Sequence, residues 1–160
     1  PEAMLPTAMM RAAVTASVLG GGVLGGLCAG HLADWLGRRP LMIVNYVFIV
    51  ITSFMSAAAM AGWQVILART LQGVGMGICS VLPALYITET APPAVRGRFG
   101  AAAQWAGNFG IVVSYAAGVV LAWCVRDDCW RWMFASGGIL ALLAMLATAA
   151  ILPESPRWLI

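Results

Sequence analysis

Charge is what this chain lacks most. Only 9% of its 160 residues are charged, whereas soluble globular proteins carry about 25%. All nine basic residues are arginine, and lysine is absent. Such a chain has too little polar surface to stay in water, which excludes a soluble domain. A net charge of +3 spread over several loops also excludes a nucleic-acid binder, because that class needs basic residues clustered on one face.

Residues suited to catalysis or metal binding are equally scarce. The chain has one histidine, His31, and it lies near no cysteine pair, which argues against a zinc site. The sequence contains no Ser-His-Asp set and no group of carboxylates within an apolar segment, which argues against an enzyme. We therefore expect neither catalysis nor a cofactor.

The four cysteines fall into two pairs with different surroundings. Cys28 and Cys79 lie inside apolar runs and are interpreted as packing residues. Cys124 and Cys129 flank a polar loop, and their spacing permits a disulfide without demanding one. That bond would require the loop to face an oxidising compartment.

Long charge-free runs are what the chain has in abundance. A helix that spans a bilayer needs about 20 apolar residues, and lipid offers its backbone polar groups no other partner. Five runs qualify, so we predict an all-α polytopic membrane protein with five transmembrane helices. Because the loops are short, sequential helices are expected to be antiparallel neighbours. The predicted spans are about 9–33, 41–62, 65–88, 99–123 and 132–152.

The distribution of arginine predicts the orientation of these helices. One side holds five arginines, and the other holds Arg11, Arg126 and Arg131 together with two aspartates. The arginine-rich side is expected to be cytoplasmic. The N-terminus then lies outside, and the odd number of helices leads us to expect a sixth one before Pro1.

Glycines recur at four-residue spacing in the first and third predicted helices. The pairs are Gly21/Gly25, Gly22/Gly26, Gly26/Gly30 and Gly73/Gly77. This spacing is typical of helices that pack backbone to backbone in membranes.

Some polar residues lie within the predicted spans. Arg69 stands just inside the third span, where a charge needs water, a partner or the bundle interior; an arginine that reaches outward to the interface is an equal alternative. Gln104 and Asn108, four residues apart, share a helical face. They are suited to lining a wet cavity and bonding hydroxyl groups, with hydrogen bonding between helices as the alternative.

Charged residues are predicted to gather at the cytoplasmic side. They form either a solvated membrane border, where each ion pair contributes only about 0–1 kcal/mol, or a network that holds a gate shut and breaks when the gate opens. The members are Asp34, Arg38, Arg39, Glu89, Arg96, Glu154 and Arg157.

Four motifs, in this order, resemble those of the sugar porter family of the major facilitator superfamily. Gly30–Arg39 resembles the loop between helices 2 and 3, and Arg69–Gly73 resembles the opening of helix 4. Residues 83–97, with Tyr86, Glu89 and Arg96-Gly97, are similar to the helix 4–5 stretch, and 153–158 resemble the helix 6 exit. The resemblance implies that residues 1–160 form helices 2 to 6 of the N-terminal six-helix bundle, with the first helix and the C-terminal half absent.

This resemblance implies a transporter that moves a hexose or related polyol across the plasma membrane by alternating access, coupled to protons in some members. Gln104 matches the helix 5 glutamine that bonds sugar hydroxyls, and Arg69 matches the helix 4 arginine that pairs with a helix 1 aspartate in proton-coupled members. The residues that match the family's cytoplasmic latch are Asp34, Arg38, Glu89 and Arg96. The expected partners are therefore a sugar and the lipid bilayer.

Two other interpretations remain open at this point. Organic-cation and organic-anion transporters share the first loop and the helix 6 exit but generally lack the helix 5 glutamine, so Gln104 favours sugars. A receptor built on the same fold would insert into the membrane without moving substrate. Residues 106–109 depart from the family's usual β-branched run, which leaves the choice of sugar unspecified.

Overall fold

The computed structural model describes residues 8–122 and 129–152, and this part of the chain is helical apart from short turns. Four of the helices are long and apolar enough to cross a membrane. The exception is α4, which carries Gln104 and Asn108 near its middle. The five helices are α1 (Ala8–Leu36), α2 (Arg38–Ala58), α3 (Gly62–Thr90), α4 (Pro93–Ala122) and α5 (Cys129–Ile151).

Each predicted span overlaps one helix, but several boundaries differ. α2 begins at Arg38 and ends at Ala58, where the sequence predicts 41–62. It ends early because Ala59 is extended and Gln64 Oε1 accepts hydrogen bonds from the N–H groups of Met60 and Ala61, which starts α3 at Gly62.

The start of α4 differs most from the prediction. The helix begins at Pro93 rather than at 99. Proline suits a first helical turn because the N–H that it lacks would have no partner inside the helix there. Several predicted spans end beside charged residues. A helix nevertheless continues beyond the hydrocarbon layer for as long as its backbone hydrogen bonds continue.

The two most extensive helix contacts join helices that are not consecutive in the chain. α1 packs along α3, and α2 packs along α5 and also against α3. α4 makes only slight contact, with α3 and α5. One end of the bundle, which we name the Arg38 end, holds the C-termini of α1, α3 and α5. The opposite end, named the Arg69 end, holds the C-terminus of α2.

Glycine makes the contact between α1 and α3. Gly21 and Gly25 on α1 and Gly73 and Gly77 on α3 lie so close to the opposite backbone that a Cβ at any of them would overlap it. Gly20, by contrast, faces open space. Small residues allow this approach because dispersion contacts and packing, rather than water exclusion, hold helices together in lipid.

Polar side chains are buried along α2. The hydroxyl groups of Thr52 and Ser56 donate to carbonyls of their own helix, at 3.0 Å to Phe48 and 2.9 Å to Thr52. Asn45 instead reaches across to α3, where its Nδ2 donates to the Gly75 carbonyl at 3.0 Å and to Cys79 Sγ at 3.1 Å. The amide thereby joins two helices at the middle of the bundle.

Candidate functional site

The predicted charge network is partly assembled at the Arg38 end. Arg38 Nη2 donates to Glu89 Oε1 at 2.8 Å and to Asp34 Oδ1 at 2.9 Å, while its Nη1 donates to the Ala33 carbonyl at 3.0 Å. The Arg38 and Glu89 side chains are only 11% and 8% exposed, whereas Asp34 is 72% exposed. One guanidinium therefore joins the ends of α1, α2 and α3.

The backbone positions this arginine through Gly37. Gly37 separates α1 from α2 with a φ of 89°, a value that side-chain-bearing residues rarely adopt. The turn places Arg38 and Arg39 in the first turn of α2, against the C-termini of other helices. A cation at a helix C-terminus is favourable because the last carbonyls there carry partial negative charge.

Arg39 makes a different contact from Arg38. Its Nη2 donates to the carbonyl of Ala149 at 2.8 Å, near the end of α5. The two successive arginines of the loop thus point to different helices. Arg38 binds α1 and α3, and Arg39 binds α5.

The structure does not bring Arg96 into this network. Arg96 is exposed on the first turns of α4, where its Nη2 lies 3.4 Å from the Ala91 carbonyl. Within residues 8–122 and 129–152 it makes no ion pair. Glu154 and Arg157, also predicted for the network, lie outside the described residues, and so does Cys124 of the candidate disulfide.

Arg69 lies near the beginning of α3, at the opposite end from the charge network. Its guanidinium stacks over the ring of Phe134 on α5, with Cζ 4.1 Å from the ring centroid. Its Nη1 donates to Gln72 Oε1 at 3.3 Å, and Nε is buried without a hydrogen-bond partner in residues 8–122 and 129–152. The side chain therefore points between α3 and α5 and does not reach outward.

Gln104 and Asn108 lie on α4 and are exposed in the described part of the chain. The residues around them are exposed as well: Trp105 is 76%, Phe109 69% and Tyr115 76% exposed. The shared face predicted from the four-residue spacing is present on the helix. No other described helix covers that face.

Three polar or aromatic contacts were missed by the sequence analysis. They are the Asn45 bonds to α3, the hydrogen bond from Gln72 Nε2 to Ser53 Oγ at 3.0 Å, and the stacking of Phe134 on Arg69. A single amide within a long apolar run was the available signal for Asn45. Nothing in the local sequence distinguishes Phe134 from other apolar residues of α5.

Together these features define a polytopic helical membrane protein. Four helices have the length and composition to cross a bilayer, the α1–α3 contact is made by glycines, and the buried ion pair lies at one end of the bundle.

The chain belongs to the family described as Sugar (and other) transporter, whose sequence profile matches residues 3–160. It is 37% identical over 134 residues to Monosaccharide-sensing protein 1 of Arabidopsis thaliana, which covers 83% of this chain and 18% of that protein. It is 35% identical over 137 residues to the arabinose-proton symporter of Bacillus subtilis (strain 168), covering 82% of this chain and 29% of that one. The family expected from the motifs is confirmed.

Solved structures agree on the fold. The proton:xylose symporter XylE of the major facilitator superfamily, bound to 6-bromo-6-deoxy-D-glucose, superimposes with a TM-score of 0.86 at 31% identity over 91% of this chain and 35% of its own. The inward open conformation of XylE from E. coli gives 0.83 at 30% identity over 91% of this chain and 38% of its own. The predicted fold class, a partial bundle of the major facilitator fold, is confirmed.

Proposed function

We propose that this chain is part of a transporter that moves a hexose or related polyol across a membrane by alternating access. The observation that carries the proposal is the likeness to a xylose symporter with a glucose analogue bound, at 31% identity and a TM-score of 0.86. The relatives named above are called sugar symporters or sugar sensors, and nothing in them favours the organic-ion alternative.

The chain spans 18% to 29% of the two curated relatives described above. We therefore propose that it works within a longer polypeptide, in which a preceding helix and a second six-helix half complete the pathway. Substrate would bind near the middle of the membrane between the halves, which rock around it. The exposed face of α4 fits this arrangement because its amides and aromatic side chains lack a neighbouring described helix.

Within this proposal each polar residue has a role. Gln104 and Asn108 would hydrogen-bond substrate hydroxyls. Arg38, Glu89 and Asp34 would hold the cytoplasmic end closed in one of the two alternating states, with Arg39 supporting α5. Arg69 would either couple sugar to protons or stabilise the bundle. The plasma membrane is the proposed location.

Uptake by vesicles tests the function. Labelled glucose would be offered to vesicles that hold the full-length protein, with and without a protonophore. Saturable uptake abolished by the protonophore supports a proton-coupled symporter, and saturable uptake that survives supports a facilitator. If no hexose, pentose or polyol is taken up by protein shown to be inserted, sugar transport is wrong.

A sugar sensor is the second candidate, and the name of one relative favours it. Monosaccharide-sensing protein 1 is 37% identical to this chain. A sensor would bind sugar without moving it. Equilibrium binding of labelled glucose to the inserted protein, combined with absence of counterflow, would favour the sensor over the transporter.

A further inference from the structure

The Arg69 side chain occupies an unusual site for a cation in a membrane bundle. It lies within α3, one of the helices able to cross a membrane. The two acidic residues in the described ranges, Asp34 and Glu89, both lie at the Arg38 end, and Arg69 makes no ion pair within those ranges. A buried charge at this place in a membrane bundle is stabilised by the electron-rich groups that lie against it.

One such group in the described part of the chain is an aromatic ring. The guanidinium carbon lies 4.1 Å from the centroid of Phe134, and Nε is buried with no hydrogen-bond partner among the described residues. The face of an aromatic ring is electron-rich, so it attracts a planar cation that stacks on it, and the attraction grows when water is excluded. The ring therefore stabilises the group that the hydrogen bonds leave incompletely satisfied.

The contact also continues a chain of polar contacts across three helices. Phe134 on α5 stacks on Arg69, Arg69 donates to Gln72 on α3, and Gln72 donates to Ser53 on α2. Ser53 is fully buried. Because Gln72 uses its oxygen for Arg69 and its nitrogen for Ser53, the amide orientation depends on where the guanidinium lies.

We propose that Phe134 is a positioning residue for Arg69, holding the guanidinium between α3 and α5 through the face of its ring. The contact itself does not depend on sugar transport, and only its consequence for uptake rests on the proposed function. Loss of the ring's electron density, without loss of its shape, would release the guanidinium and loosen the Arg69 end of the bundle.

The test uses the full-length protein with phenylalanine 134 replaced by mono-, di- and trifluorinated phenylalanine. Fluorine withdraws electrons from the ring face while changing its size little. We expect the melting temperature of the purified protein to fall with each fluorine, by about 2–4 °C in total. The same substitutions at Phe54 are the control, because Phe54 packs beside Gly138 on α5 and contacts no cation among the described residues. The melting temperature should not change along that series.

A second background separates stacking from packing. In the Arg69→Gln protein the melting temperature should not change along the Phe134 fluorination series, because no cation remains beside the ring. Should that protein fail to fold, Arg69→Lys replaces it, and the fluorine dependence should persist because lysine is also a cation. The proposal would be overturned if fluorination of Phe134 left the melting temperature unchanged with Arg69 present. It would also be overturned if fluorination of Phe54 lowered the melting temperature as much as fluorination of Phe134.

Sugar uptake gives the readout for positioning. If Phe134 positions Arg69, fluorination should reduce the maximal uptake rate in step with the melting temperature, and the same dependence should persist in Arg69→Lys, which keeps a cation beside the ring. A falling melting temperature with unchanged uptake would overturn the positioning role. If even the unmodified protein moves no sugar, the proposed function fails, while the melting series still decides whether the ring holds the guanidinium.

Discussion

Arg38 Nη2 lies 2.8 Å from Glu89 Oε1, and this ion pair joins the first turn of α2 to the last turn of α3. The same nitrogen also binds Asp34 Oδ1 at 2.9 Å. The two carboxylates share one arginine but differ in exposure, since Glu89 is 8% and Asp34 72% exposed. Because of this difference in exposure, the two carboxylates are expected to contribute unequally to the free energy of unfolding.

Glu89→Ala is expected to destabilise the protein much more than Asp34→Ala. Removing one partner of a buried pair costs about 3–5 kcal/mol when the other charge is left unpaired. Arg38 keeps Asp34 and the Ala33 carbonyl as partners, so the loss in Glu89→Ala should be smaller than that, yet larger than the about 0–1 kcal/mol that an exposed pair contributes. The measurement is thermal or denaturant unfolding of both variants in detergent. Equal losses in the two variants would contradict the assignment of Arg38–Glu89 as the stabilising pair.

Asp34→Asn tests the proposed latch, because it removes a charge from the network while leaving the buried pair in place. We expect slower sugar turnover with near-normal apparent affinity, since a latch sets the balance between states and not the contacts to substrate. Arg96→Ala is the matched comparison, because Arg96 makes no ion pair in the described part of the chain. Unchanged turnover in Asp34→Asn would refute the latch.

The glycine contact between α1 and α3 predicts a position-specific effect of a single methyl group. Gly25→Ala places a Cβ onto the backbone of Val74, so the helices must move apart, at a cost of about 1–3 kcal/mol. Gly20→Ala is the control on the same helix, because nothing lies within 4 Å of its Cβ position. Helix propensity favours alanine over glycine by about 0.5–1 kcal/mol at both positions, so the melting temperature of Gly20→Ala should not fall. An equal change in melting temperature for the two variants would contradict the importance of the contact.

Asn45 predicts a stabilising hydrogen bond between helices. Asn45→Leu removes the bond from Nδ2 to the Gly75 carbonyl, and about 0.6–2 kcal/mol of stability should be lost. Thr52→Val is the comparison, because the Thr52 hydroxyl donates only within α2, to Phe48 and Ile49. A loss for Thr52→Val as large as that for Asn45→Leu would contradict the prediction.

The sequence predicted the existence of the five helices because each lies in a long run without charge, and length alone distinguishes such runs in a membrane protein. The helix ends were less predictable. Arg38 and Arg39 lie inside α2 although they are charged, because a helix can extend past the hydrocarbon and their side chains bind the ends of α1, α3 and α5.

The candidate site likewise has one contact that the sequence predicts and one that it does not. The contact between the helix 2–3 loop and Glu89 was predictable because both belong to recognisable motifs. The stacking of Phe134 on Arg69 joins residues that lie far apart in the chain and depends on how α5 packs beside α3. No local pattern encodes such a pairing, because any apolar residue suits the lipid-facing and helix-facing sides of α5.

Substrate affinity of Gln104→Ala is the decisive test of sugar recognition by α4. The concentration dependence of hexose uptake would be compared for the unmodified protein, Gln104→Ala and Ser114→Ala. Ser114 lies about 80° around α4 from Gln104, away from Asn108. Loss of a hydrogen bond to a hydroxyl, about 0.5–1.5 kcal/mol, predicts an apparent affinity for Gln104→Ala roughly 2- to 12-fold weaker, with Ser114→Ala unchanged. Unaltered affinity in Gln104→Ala, in protein that transports the sugar, would contradict the account.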